Sequence, residues 1–435
     1  MKLRVWINDR PVGWLARDGH GSTFAYDDGV DPDDAISLNM PVRTRSYDQA
    51  FGLLPIFDTN LPEGSLRDRI TKTISKVKGR IDGLDILEVT GANQIGRIRV
   101  LADGKSPSRR ATINSIDEIL DQEASQALID EIMDKYAMHS GVSGAMPKVL
   151  IEESHGQSFE KPSEGHDGKR VTLQTREYIF KFDADDYPGL SLNEYFGLEV
   201  AKAAGCEVAD AKLSSDRHIL AVRRFDEDHG ERLGFEDMAS LNTKRSEHKY
   251  DGSIERHLFK QVEFFSGENK RSNLEELFRL SVVNIAVRNG DAHLKNYALL
   301  YDKTATGSPK LTPAYDIVTT TAYLKNDMMS LSLGGTKRWP KHKALLALGA
   351  RAKLTPKRSA EIIEEVADAV RKTMPAMLAE FEACGKKELG ELIAAQWDDG
   401  LVSSLDSTPA RPTQDPFDDV ASKNATKTND LENDQ

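Results

Sequence analysis

Apolar and polar positions alternate from the first residues of the chain: Leu3, Val5 and Ile7 interleave with Arg4, Trp6 and Asn8. Turn chemistry in Asn8-Asp9-Arg10-Pro11 then gives way to Val12 to Leu15, so the chain opens with a hairpin. A small β-rich module follows and closes near the strand Ile98-Arg99-Val100-Leu101. Ala102-Asp103-Gly104-Lys105-Ser106-Pro107 has loop composition, and Ile116 to Lys135 reads as helix. From His139 onward Gly, Ser and Pro precede short strands, among them Tyr178 to Phe182 and Ile219 to Val222, which predicts an α+β unit. Past Asn273 the helical period takes over, first in Leu274 to Val287 and later in Ser359 to Phe381, where Ile362, Ile363, Val366 and Val370 share a face. The pattern therefore predicts five segments: a β-rich module (1–105), a helical connector (106–138), an α+β unit (139–272), a mostly helical unit (273–402) and a disordered tail (403–435). The tail holds almost no large apolar residues and has nothing to set against its ordering entropy. No internal repeat is visible.

At 435 residues the chain is long enough for two or three packed units. Its two cysteines, Cys206 and Cys384, stand far apart without metal-ligand companions, so neither a disulfide framework nor a zinc site is expected, in keeping with a reducing compartment. No apolar run is long enough to span a bilayer, and the expectation is a soluble, cytoplasmic protein. The 70 acidic against 58 basic side chains leave a net charge of -12, which argues against coating nucleic acid by overall field. Any DNA contact would have to come from a local patch or a partner.

The chemistry concentrates in Asn284-Ile285-Ala286-Val287-Arg288-Asn289-Gly290-Asp291-Ala292-His293-Leu294-Lys295-Asn296, where an apolar helix stops at a glycine and polar residues follow on a loop. Asp291 and Asn296 have the Asp-x-x-x-x-Asn spacing of a kinase catalytic loop, in which the Asp accepts the substrate hydroxyl proton and the Asn oxygen binds magnesium. The strand Tyr297 to Tyr301, a turn, and Leu311 to Asp316 come next. That hairpin brings Asn296 and Asp316 together as two hard oxygen ligands for one Mg²⁺. Taken singly, Asp291 and Asn296 also suit helix caps and turns. Lys181, a lone cation inside the strand Tyr178 to Phe182, stands where a kinase places the lysine that pairs with ATP phosphates, although a strand lysine is more often an edge or snorkelling residue. Ser191-Leu192-Asn193-Glu194 makes a capping-box pattern; Glu194 either caps that helix or pairs with Lys181. Ser140 to Lys148 is a small-residue loop suited to close approach of backbone N–H groups to phosphate, or a plain turn. Gly91 to Gly96 is no Walker loop, since Arg97-Ile98 replaces the required Lys and Ser/Thr.

The order of these elements, together with Asn60-Leu61-Pro62-Glu63-Gly64, Gly96-Arg97, Gly144-Ala145-Met146-Pro147-Lys148, Asn193-Glu194-Tyr195, Arg224-Phe225-Asp226, Gly290-Asp291-Ala292-His293-Leu294-Lys295-Asn296 and Pro313-Ala314-Tyr315-Asp316, resembles the HipA kinase family from residue 1 to about residue 400. The resemblance implies an α+β fold: a small β-rich N-terminal domain packed on a two-lobed protein-kinase-like domain with a mostly helical C-lobe. It implies ATP and Mg²⁺ as cofactors and gives roles to matching positions. Asp291 is the catalytic base, and Asn296 and Asp316 hold the metal. Ser143, Gly144, Ala145, Met146, Pro147 and Lys148 form the phosphate loop. Lys181 contacts the ATP phosphates, and Arg223, Arg224 and Phe225 form the adenine-facing hinge. His293, Lys295, Asn296 and Tyr315 line the nucleotide site. Family members silence themselves by phosphorylating a serine at the start of that loop. In an ungapped reading that position falls on Gly141, and Ser140 and Ser143 are the two candidates, with Ser143 inside the loop. Met146 departs from the Gln frequent there. A phosphate would add about two negative charges beside ATP.

The resemblance further implies a toxin paired with a HipB-like helix-turn-helix antitoxin, a complex that represses its own operon on DNA, and a protein substrate, with an aminoacyl-tRNA synthetase such as glutamyl-tRNA synthetase the family precedent. Lys337 and Arg338 open the strongest basic run, Lys337 to Lys343, which is either a DNA-facing loop or a solvated face. Two other readings stay open: a small-molecule kinase sharing Asp291, Asn296 and Asp316, and a catalytically silent subunit of a DNA-binding repressor complex. The N-terminal module favours the protein kinase, and a silent protein would be expected to have lost a metal ligand or the base.

Overall fold

A computed structural model describes residues 1–76, 78–79, 81–107, 116–122, 125–136, 140–142, 148–154, 175–183, 186–228 and 231–407. The opening alternation becomes β1 (Lys2–Ile7) and β2 (Arg10–Asp18), which pair antiparallel with Leu3 opposite Leu15. With β3 (Gly21–Tyr26), β4 (Tyr47–Gln49) and β5 (Ile98–Ala102) they form a sheet in the order β4-β3-β2-β1-β5. Its inner face is the apolar register read from the sequence: Leu3, Val5, Ile7, Leu15, Phe24 and Val100 are buried. Each such side chain contributes about 1.5–3 kcal/mol by leaving water. Gly13 is required here, because a Cβ at this position would stand 2.3 Å from the Ala25 carbonyl oxygen.

A second sheet, in the order β6-β7-β9-β8, consists of β6 (Lys148–Ser154), β7 (Thr175–Phe182), β8 (Ala211–Leu213) and β9 (Ile219–Arg223). Its Val149, Ile151, Phe180, Phe182, Ile219 and Ala221 belong to the same buried cluster as the N-terminal sheet, so the two share one core. The connecting stretch is two helices, Ile116–Leu120 and Gln126–Tyr136, rather than one. The Ser125 hydroxyl starts the second by accepting from the Leu128 N–H.

A short hairpin, β10 (Glu227–Asp228) and β11 (Glu231–Arg232), precedes a third sheet of β12 (Gly234–Asp237), β13 (Ala298–Tyr301) and β14 (Lys310–Leu311). The helices Leu190–Ala203, Lys270–Ala286, Pro356–Ala383 and Lys387–Asp399 pack together, and their buried faces, with Phe259 of the helical turn Ile254–Phe259, make a second apolar cluster that includes Phe278, Phe381 and Trp397. The packed chain runs past Ser403: Ser404 and Leu405 are buried, and Arg288 Nη1 donates to Ser404 Oγ at 2.9 Å. Among the described residues no helix is long and apolar enough to cross a membrane.

The N-terminal sheet unit is bonded to the rest of the chain at several points. Glu236 on β12 accepts from Ser37 Oγ and the Leu38 N–H. Asn39 Nδ2 donates to the Leu241 carbonyl, and Arg97 donates to the carbonyl of Asp302.

Candidate active site

A cavity of about 880 Å³ opens between the second sheet and the helical lobe, and Lys148, Lys181, Asp291, His293, Lys295, Asn296, Tyr315 and Asp316 all line it. That volume suits a nucleotide-sized ligand.

Lys181 enters from β7, directly opposite Lys148 on β6. Its ammonium is buried and ion-pairs with Glu194 Oε1 at 2.5 Å and with the Asp316 carboxylate. Glu194 is available because the helix Leu190–Ala203 is started by another residue: Gly189 at the cap has φ 72°, and the Asp183 carboxylate accepts from the N–H groups of Gly189 and Ser191. The capping-box reading of Ser191 to Glu194 therefore gives way to the Lys181 pair. Asn193 on the same helix is bonded to Thr319, accepting its N–H at 2.9 Å, and Gly197 lets the helix approach Ile317 closely. These contacts fix the segment that carries Asp316.

The loop bearing Asp291 leaves the helix Lys270–Ala286 through Arg288, a buried residue at φ 56° whose guanidinium reaches Asp399 and Ser404. Asn289 joins the two halves of the site: Nδ2 donates to the Asp316 carbonyl at 3.1 Å, and Oδ1 accepts from the Asp291 N–H. Gly290 donates its N–H to Thr320 Oγ1 at 2.7 Å, and a Cβ there would meet the Asp327 carboxylate at 2.0 Å. Asp291 stands exposed at the open end, its carboxylate accepting from the Tyr250 hydroxyl at 2.9 Å. The cleft walls nonetheless hold back water from that carboxyl and raise its pKa above the ordinary aspartate value.

His293 is buried, and burial together with Lys249 and Lys295 pushes its pKa down to about 3, so the ring is neutral; its Nδ1 has no partner among the described residues. Lys295 turns from the cavity wall to Glu63 of the N-terminal unit, which also binds Lys249 Nζ at 2.9 Å. Burial opposes that charge on Glu63, but the two lysines prevail and lower its pKa to about 2. The Tyr315 hydroxyl donates to the Lys295 carbonyl, and its ring forms an aromatic wall with Phe225 and Phe235 at centroid distances of 5.7 and 6.5 Å.

The β13–β14 hairpin brings Asn296 and Asp316 together, with Asn296 Nδ2 3.5 Å from the Asp316 carbonyl. Asn296 Oδ1 is buried without a partner among the described residues. Asp316 holds a left-handed backbone, φ 55°. Burial works against its charge, yet Lys181 and Lys148 outweigh that and keep its carboxyl well below the usual range. Among the described residues no three His, Cys, Asp or Glu side chains cluster for a metal. A free amide oxygen beside an ionised carboxylate does fit a magnesium ion that takes its other ligands from phosphate and water.

Other expected site residues sit differently. Arg224 lines the cavity, but its guanidinium forks onto Asp226 at 2.9 and 2.6 Å and reaches the Gln94 carbonyl. Arg223, exposed at the end of β9, lines the cavity as expected, as does Phe225. Ser143, Gly144, Ala145, Met146 and Pro147 lie outside the described residues. Ser140 is buried, donating to the Tyr136 carbonyl and accepting from the Leu150 N–H. Both hydrogen-bonding roles of that hydroxyl go to the fold, and the structure does not bring Ser140 to the cavity. Lys337 and Arg338 are both exposed; Lys337 stands at the cleft mouth and donates to the Tyr250 carbonyl at 3.3 Å. Sequence reasoning missed Tyr250, Asn289, Thr320 and Asp327. Only Asn289 carried a signal, as the neighbour of Gly290-Asp291.

A family model described as the HipA-like C-terminal domain matches residues 140–374, and one described as the HipA N-terminal domain matches residues 3–101. Two Sinorhizobium fredii proteins are similar over most of the chain. The one named "Putative kinase Y4dM" is 27% identical over 410 residues, covering 88% of this chain and 91% of its own. The one named "Putative kinase Y4mE" is 26% identical over 345 residues, covering 74% and 78%. Among solved structures, that of the Shewanella oneidensis MR-1 toxin–antitoxin system HipA, HipB and operator DNA superposes with a TM-score of 0.60 at 18% identity, covering 91% of this chain and 96% of that one. With a β-rich N-terminal unit on a kinase-like α+β fold, and family models that match both parts, the chain belongs to the HipA family.

Proposed function

We propose that this chain is a serine/threonine protein kinase that transfers the γ-phosphoryl group of ATP to a protein hydroxyl. The observation that carries the reading is the convergence of Lys181, Asp291, Asn296 and Asp316 on one cavity, with Asn296 Oδ1 buried and unpartnered. In this reading Asp291 accepts the proton of the acceptor hydroxyl, and its raised pKa makes it a better base than an ordinary aspartate. Lys181, steadied by Glu194, turns toward the phosphates, and Lys148 adds a second cation. Asn296 and Asp316 hold Mg²⁺, which supplies charge neutralisation on the phosphates when bound. His293, Arg223, Phe225 and Tyr315 line the nucleotide, and Ser143 to Pro147 cover the phosphates. Ser143 is the serine we assign to self-silencing, since the Ser140 hydroxyl is occupied.

The chain acts as the toxin of a HipBA-like pair: it binds a HipB-like helix-turn-helix antitoxin and, with it, operator DNA. The superposition on the Shewanella HipA supports this at the level of fold. The first protein substrate to test is an aminoacyl-tRNA synthetase, glutamyl-tRNA synthetase foremost. The test is incubation with Mg²⁺ and γ-labelled ATP, alone and with that synthetase, beside Asp291→Asn. Label transferred by the wild type and lost in Asp291→Asn, with ATP binding kept in both, is the expected result. Equal transfer by the variant overturns the assignment of Asp291.

A further inference from the structure

Tyr250 is 40% exposed at the cleft mouth, yet its hydroxyl donates to Asp291 Oδ1 at 2.9 Å. Among the described residues no other side-chain hydroxyl is bonded to that carboxylate. This is the reach a general base needs to the proton it removes, so Tyr250 occupies the place of an acceptor hydroxyl. Its placement is built rather than incidental. The ring lies edge-on to His293 at 5.2 Å, the Tyr250 carbonyl accepts from Lys337, and the preceding Lys249 is tied to Glu63 and, through its carbonyl, to the Leu294 N–H. Tyr250 also lines the same cavity as Lys181, Asn296 and Asp316.

We propose that Tyr250 is itself a phosphoacceptor, modified within its own chain at the Asp291 site. The proposal rests on the kinase reading given above. Asp291 takes the phenolic proton as the phenolic oxygen bonds to the γ-phosphorus of ATP; the bond from that phosphorus to the β,γ-bridging oxygen breaks, ADP leaves, and Asp291 returns the proton to solvent. The product carries about two negative charges beside the Asp291 and Asp327 carboxylates, so it leaves the base and swings toward Lys249 and Lys337. Modification thus vacates the acceptor position for another hydroxyl.

The test is peptide mapping of the full chain after incubation with Mg²⁺ and γ-labelled ATP, at two protein concentrations tenfold apart, with Tyr250→Phe and Asp291→Asn alongside. Phosphate on the Tyr250 peptide, formed with one rate constant at both concentrations and absent in Asp291→Asn, is the expected result. A rate that scales with concentration overturns modification within the chain. Label on other residues or on added casein with none on Tyr250 overturns the proposal while leaving the kinase reading intact. No transfer to any acceptor, with ATP bound, overturns both.

Discussion

Replacing Glu63 with Gln tests whether the N-terminal unit helps hold the loop that carries Asp291 and Lys295. The Glu63 carboxylate bridges Lys295 and Lys249 across the two units, with 19% of its side chain exposed against 5% and 12% for the lysines. The fall of its pKa from 4.5 to about 2 converts, at about 1.4 kcal/mol per tenfold, to about 3 kcal/mol of stability at neutral pH. The folded-state pKa is depressed, so this contribution is present above about 4.5 and is lost as pH falls toward about 2. Glu63→Gln should therefore cost about 3 kcal/mol of unfolding free energy at pH 7 and about 2 kcal/mol at pH 3.5. Urea titration followed by tryptophan fluorescence at the two pH values measures both. The double variant Glu63→Gln/Lys295→Met should be less destabilised than the sum of its parts, because most of the single-variant loss comes from a lysine left buried without its counter-charge. A cost below about 1 kcal/mol at pH 7, or additivity in the double variant, refutes the reasoning.

On the proposed kinase reading, the phosphoryl-transfer rate should climb from the acid side through an inflection above the ordinary aspartate value of 3.8, since the cleft walls hold back water and raise the Asp291 pKa and only the ionised form is a base. Tyr250→Phe should move that inflection higher by removing the hydrogen bond that favours the carboxylate; a pH–rate profile of each protein decides it. Lys181→Met should lower kcat by on the order of 100-fold, because it leaves Glu194 and Asp316 facing one another and takes a cation from the phosphates, with steady-state kinetics as the check. Gly197→Ala places a Cβ 2.1 Å from the Ile317 carbonyl oxygen and should cost about 1–3 kcal/mol in urea titration, with a loss of activity from displacing the residue that follows Asp316.

The parts of the site legible in the sequence are those whose chemistry ties residue type to spacing: Asp291, Asn296 and Asp316 lie within one stretch, and the hairpin that joins them is itself readable. What was not legible comes from elsewhere in the chain. Tyr250 is 41 residues from Asp291, and Glu63 is 232 from Lys295, so no local pattern announces either bond. Glu194 was ambiguous because cap and ion pair use the same residue type, and the choice depended on Asp183, outside the motif, taking over the cap. Nothing in the basic run marks Lys337 as the lysine that reaches the Tyr250 carbonyl, 87 residues away in the chain, although its exposure is what a charged run leads one to expect. The strands were read well because alternation reports burial directly, whereas the connector broke at Ser125, whose hydroxyl suits a new start better than a helix interior.

Asp316 holds its carboxylate on a left-handed backbone, φ 55°, a region that favours Gly, Asn and Asp over other residues. Aspartate suits that shape and also supplies the negative charge that Lys181 and Lys148 face. Asparagine satisfies the shape alone. On the proposed kinase reading, Asp316→Asn is a chemically silent double of the protein: any effect on a cell that survives the exchange belongs to the surface the chain presents, and any that disappears belongs to the reaction.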